Sequence, residues 1–219
     1  MNCKPVEVKT VKMVKSKIKN SEKENAYAEI DNYINRCIVI DDDERNLYHS
    51  LLEKLKVKKK TYLLEAGQIC KYEWYVIKGC VRIYYIDDNG FDVNLMFGVK
   101  DWWLSDLQSY MEEKPSRLFI QALEDSVLWR MTKKNKEKVF NEIPKFERMF
   151  RIMLQRSNIA MQYRLLQTYT QTAEERYKEF IKRYPEIPQR IPQHHIASFL
   201  GISAEFLSKI RNRKTKKKI

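Results

Sequence analysis

Along this chain the spacing of apolar positions changes from helical to alternating and back again. Over 41–55 an acidic start suited to a helix N-terminus leads into Leu47, Tyr48, Leu51, Leu52 and Leu55, a stripe at helical spacing. This predicts an N-terminal helical part. From Lys58 the pattern becomes short runs rich in Val, Ile, Tyr, Phe and Trp, over 58–69, 72–86 and 91–99. Such residues favour a pleated surface. Asp87-Asp88-Asn89-Gly90 separates two of the runs, and Asn-Gly accepts the positive φ of a tight hairpin. The chain has five glycines, Gly67, Gly79, Gly90, Gly98 and Gly201, and the pattern places each between periodic segments. Short strands parted by turns predict an antiparallel barrel or double-sheet jelly roll over about 58–132.

Helical spacing returns at about 144–171, with Pro144 at a favoured first position. Phe146, Met149, Phe150, Met153 and Leu154 begin its stripe, and Ile159, Met161, Leu165 and Leu166 continue it. A helix of that size spans ~40 Å, long for packing on one small domain. The length favours a dimer seam, although an intramolecular core helix also fits the imperfect heptads. A capping box, Thr172 with Glu175, then restarts a helix whose apolar face is Ala173, Tyr177, Phe180, Ile181 and Tyr184. Pro185 and Pro188 stop it, and the domain boundary falls near 170–172. The expected units are a basic extension (1–24), a barrel domain (25–143), a dimerisation helix (144–171) and a DNA-binding domain (172–219).

Charge sharpens this division. The net +13 is concentrated at the ends: 1–24 hold seven Lys against three Glu, and 182–219 hold ten Lys/Arg against two Glu. Cationic ends favour nucleic acid or an anionic surface, and a solvated lysine tail reads equally well for 1–24 alone. No apolar run approaches the ~18 residues of a membrane helix, and the lysines near the start have no apolar core of a secretory signal behind them. A soluble cytoplasmic protein that avoids membranes is expected. Cys3, Cys37, Cys70 and Cys80 form no CxxC or regular framework, which fits free thiols rather than a metal or iron–sulfur site.

The segment 193–213 carries the functional signal. A helix-turn-helix needs a small residue where its helices cross and positive φ in the turn. Ala197 and Gly201 supply these four residues apart. Ile196, Leu200, Ile202, Leu207 and Ile210 provide a small core, and Ser203 is a fitting N-cap for the second helix. That helix, about 203–213, belongs in the major groove of double-stranded DNA. Its outer face carries Ala204, Glu205, Ser208, Lys209 and Asn212. Glu205 suits a cytosine amino group, Lys209 guanine O6/N7, and Ala204 a thymine methyl. Phe206 is intermediate between core and contact. Arg211, Arg213, Lys214, Lys216, Lys217 and Lys218 suit phosphates, which position without specifying sequence. The alternative for Glu205 and Lys209 is a solvated helix face.

In this order of parts, and in 75–90, 120–128 and 191–211, the chain resembles the cyclic AMP receptor protein/Fnr family of bacterial transcription regulators. The resemblance covers about 28–213, with Gly79 in the place of the glycine that closes a strand pair. It implies an α+β protein: an N-terminal cyclic-nucleotide-binding-like jelly roll (double-stranded β-helix), a long dimerising helix, and a C-terminal winged helix-turn-helix. It also implies a homodimer on DNA, with RNA polymerase as a further candidate contact. The family's cyclic-AMP binders use a Gly-Glu pair for the ribose and an Arg-Ser/Thr-Ala stretch for the phosphate. Here Leu104-Ser105 or Ser105-Asp106 takes the first place, beside Trp102 and Trp103, which would plug the cavity or line a more apolar one. At the second, Ser116 stands at the arginine position, Arg117 at the serine and Leu118 at the alanine. A phosphate buried without its cation is poorly compensated, so tight cyclic-AMP binding is not expected, and no cofactor is. The alternative is a cyclic-nucleotide-responsive regulator with Asp106 and Arg117 as the ligand contacts.

Rival classes lack residues. The sequence carries no GxSxG, HExxH, Walker loop or GxGxxG, so an enzyme is not expected. His194 and His195 point apart on a helix and do not make a metal pair.

Overall fold

The computed structural model describes residues 27–216, with side chains described as far as Asn212. The basic extension 1–24, Lys217, Lys218 and the side chains of Arg213, Lys214 and Lys216 lie outside the described residues. Helices α1 (Ala28–Asn35) and α2 (Asp42–Ser50) come first. Asp41 caps α2 reciprocally: its carboxylate accepts from the Glu44 amide at 2.9 Å, and that of Glu44 accepts from the Asp41 amide at 2.9 Å. The helical stripe ends sooner than expected. Glu53–Val57 is strand β1, paired antiparallel with 126–130, and Leu55 packs into the barrel. Cross-strand pairing with a partner distant in sequence overrides the local period here.

Seven more strands follow: β2 (Tyr62–Leu64), β3 (Tyr72–Lys78), β4 (Val81–Ile86), β5 (Asp92–Gly98), β6 (Trp103–Leu104), β7 (Phe119–Ala122) and β8 (Ser126–Thr132). They form two antiparallel four-stranded sheets, ordered β1-β8-β3-β6 and β2-β7-β4-β5. Alternate residues from both sheets fill the space between, among them Leu64, Trp74, Val76, Val81, Ile83, Leu104, Ile120 and Leu128. The short α3 (Leu107–Glu112) interrupts the strands and adds Tyr110 to this core. Gly90, at φ +83°, closes the β4–β5 hairpin, where the Asp87 carboxylate accepts from the amides of Asn89 and Phe91. Gly98 corrects the expectation that every glycine lies between periodic segments: it ends β5. A Cβ there would lie 2.5 Å from Leu104 Cδ2, so close packing and not a turn requires it.

Helix α4 (Lys133–Glu142) starts at a Thr132 cap and leads to α5 (Lys145–Thr170). The start of α5 joins α1, α2 and α4 over the outer face of β3 and β8, around Tyr48, Trp129 and Phe146. Phe146, Met149 and Phe150 are buried, but Ile159, Met161 and Leu165 are 65%, 63% and 58% exposed. The apolar positions of α5 are thus two faces. One is a core stripe; the other, from Leu154 onward, is open in the monomer.

Gln171 and Thr172 link α5 to α6 (Ala173–Arg183). The capping box forms, with the Glu175 amide donating to Thr172 Oγ1 at 3.3 Å and the Thr172 amide donating to Glu175 at 2.8 Å. Then come α7 (Ile187–Arg190), α8 (Gln193–Leu200) and α9 (Ala204–Lys216). No strand lies among described residues 173–216, so the wing implied by the resemblance has no counterpart there.

Candidate nucleic-acid interface and barrel site

Helices α8 and α9 meet around Ile196, Ala197, Leu200, Leu207 and Ile210, all buried, with Ile202 half-buried against them. Each buried Leu or Ile contributes about 1.5–3 kcal/mol, and this core is continuous with Phe97 of the barrel and Tyr177, Phe180 and Ile187 of the preceding helices. Gly201 holds φ +66° at the end of α8 with open space beside it, so conformation and not room selects glycine. Ser203 Oγ accepts from the Phe206 amide at 3.1 Å and starts α9.

Because Leu207 and Ile210 face inward, the other described side chains of α9 face water. Ser203, Ala204, Glu205, Ser208, Lys209, Arg211 and Asn212 are exposed, and Phe206 is 45% exposed. The Glu205 carboxyl is held below the usual range by its own backbone amide and by Ser203, with Lys209 one turn on adding attraction. It is therefore ionised at the helix N-terminus, a favourable place for an anion. The structure brings these residues onto one surface. Arg213, expected at a phosphate, has its side chain outside the described residues.

The six residues read as a barrel pocket do not gather in one place. Leu104 is buried in the barrel, and Trp103 turns the other way. The Trp103 ring lies 5.4 Å from that of Tyr75 and 5.5 Å from that of Phe150, outside the barrel. Trp102 likewise packs on Tyr184, centroids 5.8 Å apart. Neither tryptophan plugs the barrel; Trp74, Leu104 and Tyr110 fill it, all with 2% exposure or less. The reason is the two-residue alternation of β6, which sends Leu104 inward and Trp103 outward.

Asp106 and Ser116 do meet. The Ser116 hydroxyl donates to Asp106 Oδ2 at 2.6 Å, while Asp106 Oδ1 accepts from the Ser109 amide at 3.2 Å and caps α3. Both residues are buried, so their polar capacity is taken up within the loop. Ser105 is half-buried near Cys70, whose thiol burial pushes up. Arg117 is exposed. Cys37, Cys70 and Cys80 are free thiols, and Cys3 lies outside the described residues. No group that could hold a metal ion occurs among the described residues.

One set of residues escaped sequence reasoning. Arg82 on β4 is 5% exposed on the outside of the barrel. It donates to Gln121 Oε1 at 2.8 and 3.1 Å and to Asp92 Oδ2 at 2.6 Å. Its Nη1 lies 3.1 Å from Nδ1 of His195 on α8. Arginine only donates, so Nδ1 accepts and the imidazole is neutral with its proton on Nε2. Burial first, then the charges of Arg82 and His194, push the His195 pKa down to about 4 against the pull of Asp92. Around this contact Ser198 Oγ accepts from the Asn94 amide at 2.9 Å and donates to the Asp92 carbonyl. Arg190 on α7 pairs with Glu124 and donates to the Gly79 carbonyl at 3.0 Å. The α8–α9 helix pair is thus docked on β4 and β5 through α7 and α8, while the described outer face of α9 stays open.

Residues 54–142 match the family model of the cyclic nucleotide-binding domain. About four fifths of the chain has the fold of solved structures. CLP of Xanthomonas campestris, described as a c-di-GMP responsive global regulator, superposes with a TM-score of 0.67 at 12% identity, over 81% of this chain and 93% of that one. FixK2 of Bradyrhizobium japonicum gives 0.66 at 16% identity, over 77% and 86%. A transcriptional regulator of the Crp/Fnr family from Eubacterium rectale gives 0.63 at 16% identity, over 81% and 85%. No curated protein matches the sequence. The resemblance to the cyclic AMP receptor protein/Fnr family therefore holds at the level of domain and fold. No helix among the described residues is long and apolar enough to cross a membrane.

Proposed function

We propose that the protein is a sequence-specific DNA-binding transcription regulator that acts as a homodimer. The observation that carries this reading is the capped, open face of α9, where Ala204, Glu205, Ser208, Lys209 and Asn212 stand together above a buried Leu207 and Ile210. A major groove admits such a helix and distinguishes all four base pairs. The open apolar face of α5 supplies a seam for a second copy, and two-fold pairing suits half-sites one helical turn, ~34 Å, apart. RNA polymerase is a further partner of such a regulator.

The barrel's effector is not cyclic AMP in this reading. Asp106 and Ser116 satisfy each other, Arg117 lies at the surface, and the interior is occupied by side chains. A cyclic phosphate entering there would find no buried cation.

Selection of random duplexes by the purified protein tests the proposal. A two-fold-symmetric motif should be enriched, with an affinity that falls steeply with salt. Glu205→Ala combined with Lys209→Ala should cost about 2–6 kcal/mol on that motif, taking ~1–3 for each side chain that no longer reads its base. Uniform weak binding without an enriched motif would overturn it.

A further inference from the structure

Where the barrel, α5, α6 and α8 converge there is a cavity of about 380 Å³, within the size range of ligand sites. It is separate from the barrel interior. Trp102, Phe180, Tyr184 and Phe199 give it an aromatic lining, with rings tilted to one another. Arg156, Arg164, Arg176 and Arg183 line it too, beside two carboxylates, Asp101 and Glu179, and the Arg164 guanidinium lies 3.8 Å over the Phe199 ring. Asp101 is already engaged, accepting from Arg36 at 2.7 Å and from the Tyr75 hydroxyl at 2.7 Å.

Among the described residues no ion pair neutralises these arginines. Arg164 gives its donors to the backbone carbonyls of Leu95, Asn94 and Phe199, and burial pushes its guanidinium pKa down. Arg176 donates to the carbonyls of Gln171 and Leu200, and its Nε is buried without a protein partner. Two more buried nitrogens among the lining residues lack a protein partner, Nε2 of Gln167 and Nε1 of Trp103. All three are donors. Buried donors are almost always paired, so this lining calls for acceptors.

We propose that this cavity binds a small organic anion with an apolar ring. Its acceptor groups, carboxylate, phosphate or sulfonate, would meet donors spread along the lining, from Arg156 at one end to Gln167 and Arg176 at the other, while its ring lies along Trp102. The walls come from both the barrel and the DNA-binding unit, so occupancy bears on how the two are held. That consequence rests on the regulator reading; the site itself does not.

The test is a fluorescence titration of the full chain, without DNA, using 8-anilinonaphthalene-1-sulfonate and its uncharged relative N-phenyl-1-naphthylamine. Saturation at one sulfonate dye per chain is expected, with the uncharged dye at least about tenfold weaker, as charge-assisted hydrogen bonds imply. Arg156 is exposed and makes no ion pair among the described residues, so Arg156→Gln isolates the charge without disturbing the fold. It should weaken the sulfonate dye by about tenfold, a loss of ~1.4 kcal/mol. Ala160→Trp should abolish binding by filling the space, whereas Lys138→Gln, exposed on α4 away from the cavity, should leave it unchanged. Equal binding of both dyes, indifference to Arg156→Gln and Ala160→Trp, or loss in Lys138→Gln would each overturn the proposal. Because no DNA is present, none of these outcomes bears on whether α9 reads an operator.

Discussion

Glu73 and Lys136 show what a single buried pair does for the barrel. They are 5% and 8% exposed, and their charged atoms lie 2.8 Å apart between β3 and α4. Burial raises the Glu73 pKa, and Lys136 opposes that rise. Removing one partner strands the other. Lys136→Met is expected to lower stability by about 3–5 kcal/mol in urea unfolding, and Glu73→Leu added to it should recover most of the loss. Equal losses for the single and double variants would show that packing, not charge, governs the site. This pair was not legible in the sequence, because nothing in two residues 63 positions apart marks them as neighbours.

Among the elements, α5 has the plainest unfinished business. Leu154, Ile159, Met161, Leu165, Leu166 and Tyr169 are all at least 45% exposed on one helix. A contiguous apolar face of this kind marks an interaction surface. Leu165→Glu with Leu166→Glu should turn the proposed dimer into a monomer in sedimentation without lowering the content of helix. A wild-type chain that already sediments as a monomer would rule out the seam. The elements that could be read from sequence are those with local causes. The β4–β5 hairpin followed from Asn89-Gly90, the turn of the helix-turn-helix from Gly201, and the start of α6 from Thr172 and Glu175. Helix α4 was not readable, since Lys133–Glu142 is mostly charged and buries little beyond Val139 and the stem of Lys136. The barrel pocket was not readable either, because alternation on a two-residue strand sends neighbouring residues to opposite sides, and Trp103 and Leu104 cannot share a cavity.

At the scale of the whole molecule, docking of the C-terminal helices on the barrel depends on a neutral histidine. The His195 pKa is about 4 in the fold against an ordinary 6.5, so the unfolded or undocked chain binds more protons between those values. The sign is then fixed: the contribution of His195 is fully present above pH 6.5 and is lost as pH falls towards 4. Denaturation midpoints followed from pH 7 to 4 should fall more steeply in the wild type than in His195→Gln, which keeps an acceptor for Arg82 and does not titrate. Parallel profiles would sink this assignment. Docking of this kind is non-local and left no trace in the sequence: Arg82 sits in an alternating strand like any outward-facing arginine, and only the fold brings α8 over it.

The link between α5 and α6 is only two residues, Gln171 and Thr172. So short a tether keeps the C-terminal helices beside β5 at an effective concentration in roughly the millimolar range, however dilute the protein. Contacts too feeble to hold two separate molecules together therefore suffice to keep this unit seated. The balance between seated and released forms is set within each chain and does not shift with dilution, whereas pairing along α5 does. A DNA-binding curve steeper than a simple one-site isotherm then reports assembly, and a response that does not change on dilution reports release of the docked unit.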